Sequence, residues 1–308
     1  MVRRQPGRGR QLLSGDRSDR QPGTQRAAVL GSPVAHSLSP ALHRAAYDAL
    51  GLDGWEYGRH EVDAAGLAPF VEDLDDSWRG LSLTMPLKEA AFEVADEVSE
   101  TARRCRAINT LVPTPAGWVG DNTDVHGIVA ALHAAGVGEP STATVIGAGA
   151  TARSALVALA QLEVRGEVVV AARDEEKGAA LADEMTGLGL HLTVEHLPGW
   201  PHRPFPPGSV VISTLPAGGG NLAAAAPLPG PDAPVDAADQ PLSEVTVLDV
   251  VYAGWPTPFA SAALRAGATV VPGTAMLLHQ AVRQVQLMTG RSVGPDVVAA
   301  MAAALPAL

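Results

Sequence analysis

The stretch TVIGAGATAR, residues 144–153, limits the available folds more than any other part of the chain. An apolar strand-like run ends at Gly147-Ala148-Gly149, and a helix-forming segment begins within a few residues. A strand that turns tightly into a helix needs glycine at the turn and again where the backbone must stay uncovered. Gly147 and Gly149 stand at those places, and small Ala152 lets the helix lie close on the strand. This is the G-x-G-x-x-A form of the dinucleotide fingerprint, in which free amides at a helix start attract a diphosphate. Taken alone, such a triplet is also an ordinary strand–helix turn. The strand before it, the helix after it and a further βα unit beyond favour a cofactor loop at Gly147, Ala148, Gly149, Ala150 and Thr151.

The surrounding sequence repeats that alternation. GEVVVAAR, SVVISTLP, VTVLDVVY and ATVVPG read as buried strands, with DVHGIVAALHAAG, TARSALVALAQLE and DEEKGAALADEM as helices between or before them. Strand–helix alternation predicts an α/β fold with a doubly wound, Rossmann-like parallel sheet. A first α/β unit precedes it. QRAAVLGSP, WEYGRHEV and RGLSLTM are predicted strands, SLSPALHRAAYDALGL a helix capped by Ser39, and INTLVPT with GWVGDNT a hairpin. LKEAAFEVADEVSETARRC, residues 87–105, has helical spacing and is predicted as one long amphipathic helix. Residues 198–243 are rich in Pro, Gly and Ala and read as connecting loops around the strand at 209–216. The expected organisation is a substrate unit at 27–124, completed by C-terminal helices at 275–308, and a dinucleotide unit at 125–274.

Charge narrows the choice of partners. The chain carries −11 overall, yet residues 1–26 hold seven arginines against two acids, leaving 15 basic and 31 acidic residues elsewhere. An acidic body argues against nucleic acid or an anionic membrane as the main partner. The Arg-, Gly- and Pro-rich stretch 1–26 has little to bury and reads as a disordered tail. It lacks the apolar run of a secretory signal, and no later 18-residue stretch is apolar and uncharged. One cysteine, Cys105, forbids an internal disulfide and a cysteine-based zinc site. These features fit a cytoplasmic protein, monomer or homodimer, with a small-molecule substrate.

Only two lysines occur, Lys88 and Lys177, in a chain whose other cations are arginines. Arginine stays protonated, whereas an ammonium can hand over its proton. Lys88 follows a strand end, as do several small polar groups: Ser37, Ser39, Ser82, Thr84, Asn109 and Thr110. Together with Asp124 they could ring a polyhydroxylated or carboxylated molecule while Lys88 moves a proton and hydride is transferred. Each Ser, Thr or Asn alone is equally a cap or turn residue. At the end of the next strand, Arg173 and Lys177 suit the 2′-phosphate of NADP, but Asp174 between them leaves NAD open and also fits a helix first turn.

In order and spacing, SPVAHSLSP, LTMPLKE, INTL, GDNTD, GAGATAR, DVVY…TPF and GTAMLLHQA resemble the shikimate dehydrogenase family from about residue 27 to the C-terminal helix. The resemblance implies that Ser37 and Ser39 bind the substrate carboxylate, that Lys88 is the acid/base group with Asp124 as partner, and that Thr84, Asn109, Tyr252 and Gln280 contact substrate. It implies cofactor contacts at Gly147 to Thr151, Arg173, Lys177, Val250 and Gly273, with no metal. The implied reaction is reversible NADPH-dependent reduction of 3-dehydroshikimate to shikimate in aromatic amino-acid biosynthesis. Two positions depart from the family pattern. Ser82 stands where asparagine is frequent, and Asp174 replaces a threonine of the N-R-T-x-x-R stretch, so NAD use stays open. A quinate or aminoshikimate dehydrogenase, and a non-catalytic ligand-sensing module, remain as alternatives.

Overall fold

A computed structural model of the chain describes residues 23–197, 205–216 and 242–306. The tail expected at 1–26 lies outside the described residues up to 22, and so does most of the connecting region expected at 198–243. Strand β1 (Gln25–Gly31) already begins within the last residues of that expected tail.

Twelve described strands form two six-stranded sheets. The first contains β1, β2 (Trp55–Glu61), β3 (Trp78–Leu83), β4 (Glu97–Val98), β5 (Thr110–Thr114) and β6 (Gly117–Asp121), in the order β2-β1-β3-β5-β6-β4. The chain runs parallel through β2, β1 and β3, then antiparallel through β5 and β6. Helices α1 (Ser39–Ala49), α2 (Leu67–Glu72), α3 (Leu87–Ala90) and α4 (Glu100–Cys105) connect these strands.

α5 (Asp124–Ala134) leads into the second sheet: β7 (Ala143–Ile146), β8 (Glu167–Ala172), β9 (His191–His196), β10 (Val210–Ser213), β11 (Thr246–Asp249) and β12 (Thr269–Pro272). All its pairs are parallel, in the order β12-β11-β10-β7-β8-β9, which is the Rossmann winding with its switch point between β7 and β10. The connecting helices include α6 (Ala150–Gln161), α7 (Glu175–Glu184) and α8 (Pro258–Arg265). Both faces are covered, as a parallel sheet requires. Val145, Val170, Ile212 and Leu248 face one core with α5 and α6, while Ile146, Ala171, Val211 and Val247 face the other with Phe259 and Ala263 of α8. Removing Phe259 from water, where it is fully buried, contributes roughly 1.5–3 kcal/mol. The chain then returns to the first sheet through α9 (Gly273–Thr289) and α10 (Pro295–Ala303), packing Ala281, Val285 and Met301 on Leu42 and Ala46 of α1.

Three local expectations are corrected. The single helix expected over 87–105 is broken into α3, a 3-10 turn at Ala91–Glu93, the short strand β4 and α4. Leu87, Ala91 and Ala102 still reach one core, so the helical spacing was real. Local side-chain bonds win over helix continuity: Asp96 Oδ2 accepts from the Trp118 amide at 2.7 Å, and Ser99 Oγ accepts from the Ala102 amide at 3.1 Å, capping α4. Ser39 is not a cap. Leu38 holds that position and Ser39 lies in the first helical turn, while Ser37 Oγ accepts from the Ser39 amide at 3.3 Å. Finally, β9 was not expected. It is the edge strand, so His191, Thr193 and Glu195 need not be apolar.

Candidate active site

The carboxyl ends of both sheets border one cavity of about 250 Å³. On the wall of the first sheet lie Ser37 and Ser39 after β1, Thr84 after β3, and Lys88 on α3. Asn109, Asp124 and Gln280 close that side. From the second sheet's side come Thr151 in the first turn of α6, Val250 and Tyr252 after β11, and Gly273 at the start of α9. The cavity therefore joins the expected substrate residues with Thr151, Val250 and Gly273 of the expected cofactor group, while Gly147 to Ala150, Arg173 and Lys177 are not in its lining.

Lys88 and Asp124 form its charged centre. Lys88 Nζ donates to Asp124 Oδ2 at 2.6 Å, and the two side chains are 15% and 8% exposed. Asp124 opens α5, where the helix dipole favours a carboxylate. Its other oxygen, Oδ1, accepts from Asn109 Nδ2 at 2.7 Å, and its amide donates to Asn122 Oδ1 at 3.0 Å. Lys88 is anchored through its own carbonyl, which accepts from the Ile108 amide at 2.8 Å. An ammonium held this way, at the wall of a small cavity and largely out of water, can donate a proton to an oxygen placed beside it.

The Ser37 end of the cavity differs. Arg59 Nη2 donates to the Ser37 carbonyl at 2.8 Å, so a cation backs the serine loop. Burial raises the pKa of the Tyr252 hydroxyl above its ordinary value, against the opposing influence of Arg59. Gln280 is buried, donates to the Leu277 carbonyl at 2.9 Å and accepts from Thr123 Oγ1 at 3.4 Å. Ser82 lines the cavity, but its hydroxyl accepts from Tyr57 Oη at 2.6 Å and donates to Gln284 Oε1 at 2.8 Å. It is thus committed to the protein.

On the cofactor side, Gly147 has φ +112°, and a Cβ there would lie 2.5 Å from Thr214 Oγ1. Both facts demand glycine. Around Gly149 a built Cβ meets nothing within 4 Å, and α6 starts there without a side-chain cap. Uncapped amides facing open space suit a diphosphate, so these residues fit a dinucleotide. Gly147, Ala148, Gly149 and Ala150 form this turn beside the cavity that Thr151 lines. Arg173 and Lys177 are exposed just beyond β8, the neighbour of β7. Asp174 caps α7 by accepting from the Lys177 amide at 3.1 Å, and it pairs with Lys177 Nζ at 3.7 Å. Arg153 ties the two walls together, reaching Glu89 next to Lys88 at 2.8 Å and Glu184 at 3.1 Å. Among the described residues no cluster of three metal-ligating side chains occurs, and no helix is long and apolar enough to cross a membrane.

The sequence reading missed two contributors. Gly127, one turn after Asp124, lets α9 approach α5, because a Cβ there would sit 2.7 Å from the Met276 carbonyl oxygen. A glycine inside a helical run was its only signal. Gln284 lies one turn beyond Gln280, and its signal was the Q-x-x-x-Q spacing that puts both on one helix face.

A Rossmann switch point opposite a lysine–carboxylate pair defines a dinucleotide-dependent oxidoreductase acting at a carbon–oxygen centre. Residues 29–111 match the family model described as the shikimate dehydrogenase substrate binding domain. A shikimate dehydrogenase (NADP(+)) of Methylobacterium radiotolerans is 39% identical over 267 residues, covering 84% of this chain and 89% of that one. The crystal structure of Mycobacterium tuberculosis shikimate dehydrogenase superposes with a TM-score of 0.75 at 40% identity, covering 92% of this chain and 100% of that one. The Thermus thermophilus shikimate 5-dehydrogenase in complex with NADP(H) and shikimate gives a TM-score of 0.73 at 31% identity, over 92% and 100% of the two chains. The chain belongs to the shikimate dehydrogenase family.

Proposed function

We propose that this protein interconverts 3-dehydroshikimate and shikimate with NADP(H), a step of aromatic amino-acid biosynthesis. The observation that carries the reading is the 2.6 Å pair of Lys88 and Asp124 in the wall facing the Rossmann switch point. The relative from Thermus thermophilus, whose structure holds NADP(H) and shikimate, supports the choice of ligands. Bound NADP(H) supplies or accepts the hydride.

Lys88 holds a proton at Nζ for the oxygen that becomes the hydroxyl, and Asp124 orients the ammonium. Ser37 and Ser39 receive the substrate carboxylate at the end backed by Arg59, while Thr84, Asn109, Tyr252 and Gln280 line the ring. Gly147 to Thr151 take the diphosphate, with Val250 and Gly273 beside the cavity. Arg173 and Lys177 favour a 2′-phosphate, and the engagement of Asp174 as a cap leaves that phosphate less opposed. In this reading residues 27–124 and 275–308 form the substrate unit and 125–274 the dinucleotide unit.

The test follows nicotinamide absorbance with 3-dehydroshikimate and NADPH, and in reverse with shikimate or quinate against NADP and NAD. Turnover with the shikimate pair and NADP(H) is expected. Lys88→Met lowers kcat about 10²–10⁴-fold while NADPH binding, read by fluorescence, persists. Near-normal turnover of Lys88→Met removes its assigned role. Ligand binding without turnover in the unaltered protein supports a sensor instead, and turnover confined to quinate or NAD moves the specificity.

A further inference from the structure

In the cavity wall a polar cluster centres on Gln284 of α9, which is 1% exposed. Its Oε1 lies 2.8 Å from Ser82 Oγ and 3.3 Å from His43 Nε2. Its Nε2 lies 2.9 Å from Thr110 Oγ1 and 3.4 Å from the main-chain oxygen of Asn109. A carboxamide has two N–H donors and one oxygen with two lone pairs, so all four positions are filled. The main-chain oxygen of Asn109 can only accept, which makes the nearby atom the nitrogen and fixes the amide's orientation.

The protons of the Ser82 hydroxyl and the His43 ring then have one place to go. Ser82 and His43 both face Oε1 and must donate to it. His43 therefore carries its proton on Nε2, and its other ring nitrogen, Nδ1, is buried without a partner as a bare lone pair. Ser82, having given its proton to Gln284, accepts from Tyr57 Oη. On the other side Thr110 Oγ1 accepts from Gln284, so its own proton points to Asn109 Oδ1 at 2.8 Å. Asn109 Oδ1 also accepts from the Thr123 amide at 2.8 Å. With its oxygen held by these donors, Asn109 directs Nδ2 at Asp124 Oδ1 and at Thr123 Oγ1, and Lys88 closes the chain at Asp124 Oδ2.

We propose that Gln284 is a positioning residue for proton transfer: through Thr110 and Asn109 it fixes the orientation in which Asp124 holds Lys88. The inference rests on the reading of Lys88 as the proton donor to 3-dehydroshikimate. Its direction is specific. The Thr110 half of the Gln284 amide serves chemistry, whereas the Ser82, Tyr57 and His43 half anchors that amide to the first sheet and to α1.

The experiment measures kcat, KM for 3-dehydroshikimate and the solvent deuterium isotope effect on kcat. It compares the unaltered protein with Gln284→Met, Thr110→Val, their double variant and Tyr57→Phe, with thermal unfolding alongside. Gln284→Met and Thr110→Val each lower kcat roughly ten-fold, an order less than a full ångström of misplacement costs. KM stays within about two-fold, and the isotope effect rises as proton transfer becomes slower than release. The double variant falls no further than the worse single one, because both cut the same chain. Tyr57→Phe lowers the unfolding midpoint and leaves the isotope effect unchanged. An unaltered kcat in Gln284→Met, additive losses, or a lower kcat with an unmoved isotope effect each overturn the proposal. Should Gln284→Met fail to fold, Thr110→Val decides by its isotope effect alone. Silence of the unaltered protein overturns the functional reading itself, whereas turnover there with an isotope-silent variant overturns only the role of Gln284.

Discussion

His43 gives the sharpest test of the packing behind the site. It is fully buried on α1, with its ring stacked on Tyr57 at a centroid distance of 3.8 Å. Burial pushes its pKa down from 6.5 to about 3, with the bond to Gln284 opposing only in part. Above pH 6.5 the imidazole is neutral in both folded and unfolded chains and adds no pH dependence. Below 6.5 the unfolded chain binds a proton that the folded one refuses, so stability falls with falling pH until about pH 3. Each pH unit in that window costs about 1.4 kcal/mol, so the loss at pH 5 is about 2 kcal/mol and its ceiling about 5 kcal/mol. His43→Phe keeps the stacked ring and loses the bond to Gln284, a deficit of about 1 kcal/mol at pH 8. Urea unfolding of both proteins at pH 8 and pH 5 isolates this residue, since all other titrating groups are shared. The variant is expected to be less stable by about 1 kcal/mol at pH 8 and more stable by about 1 kcal/mol at pH 5. A stability difference that stays constant between the two pH values refutes the reasoning, because His43 would then take up its proton in the folded state.

Two further outcomes follow from the cofactor side and the core. Asp174→Ser retains a capping hydroxyl for α7 but removes the carboxylate that pairs with Lys177. The KM for NADP should fall about three-fold with stability within about 0.5 kcal/mol, and an unchanged KM would show that the basic pair does not meet the phosphate. Burial pushes the Cys105 thiol up to about 12. At pH 8 a thiol-specific dye finds no reactive thiol in the folded protein and one per chain in urea, and rapid labelling of the folded form contradicts the buried placement.

The sequence was most readable where physics leaves few choices. Parallel strands buried on both faces must be apolar throughout, so VVVAA and VVIS identified themselves, and the φ of +112° at Gly147 explains why the fingerprint needs glycine there. Lys88 stood out because its chemistry differs from that of the arginines around it. Residues 87–105 misled because core-facing spacing survives the break, while the bonds of Asp96 and Ser99 that make the break depend on β6 and on the local chain path. Gln284 showed in sequence only its spacing from Gln280, which does not reveal its role. Its meaning lies in Ser82 and Thr110, which are distant in sequence and adjacent only once α9 has folded back.

That return of α9 and α10 to the first sheet has a consequence for synthesis on the ribosome. The six strands of the first sheet are complete by Asp121, but Val285, Met288 and Met301, which cover Leu42, Ala46 and Tyr57, are made last. At ~5–20 residues per second the interval between Asp121 and Met301 lasts on the order of ten to forty seconds. Throughout it the nascent first sheet carries an uncovered apolar face, while the Rossmann sheet, whose strands and helices are contiguous, can close as it emerges. Gln280 and Gln284 arrive with the helices that cover that face, so completing the early sheet and completing the wall around Lys88 and Asp124 are one late event.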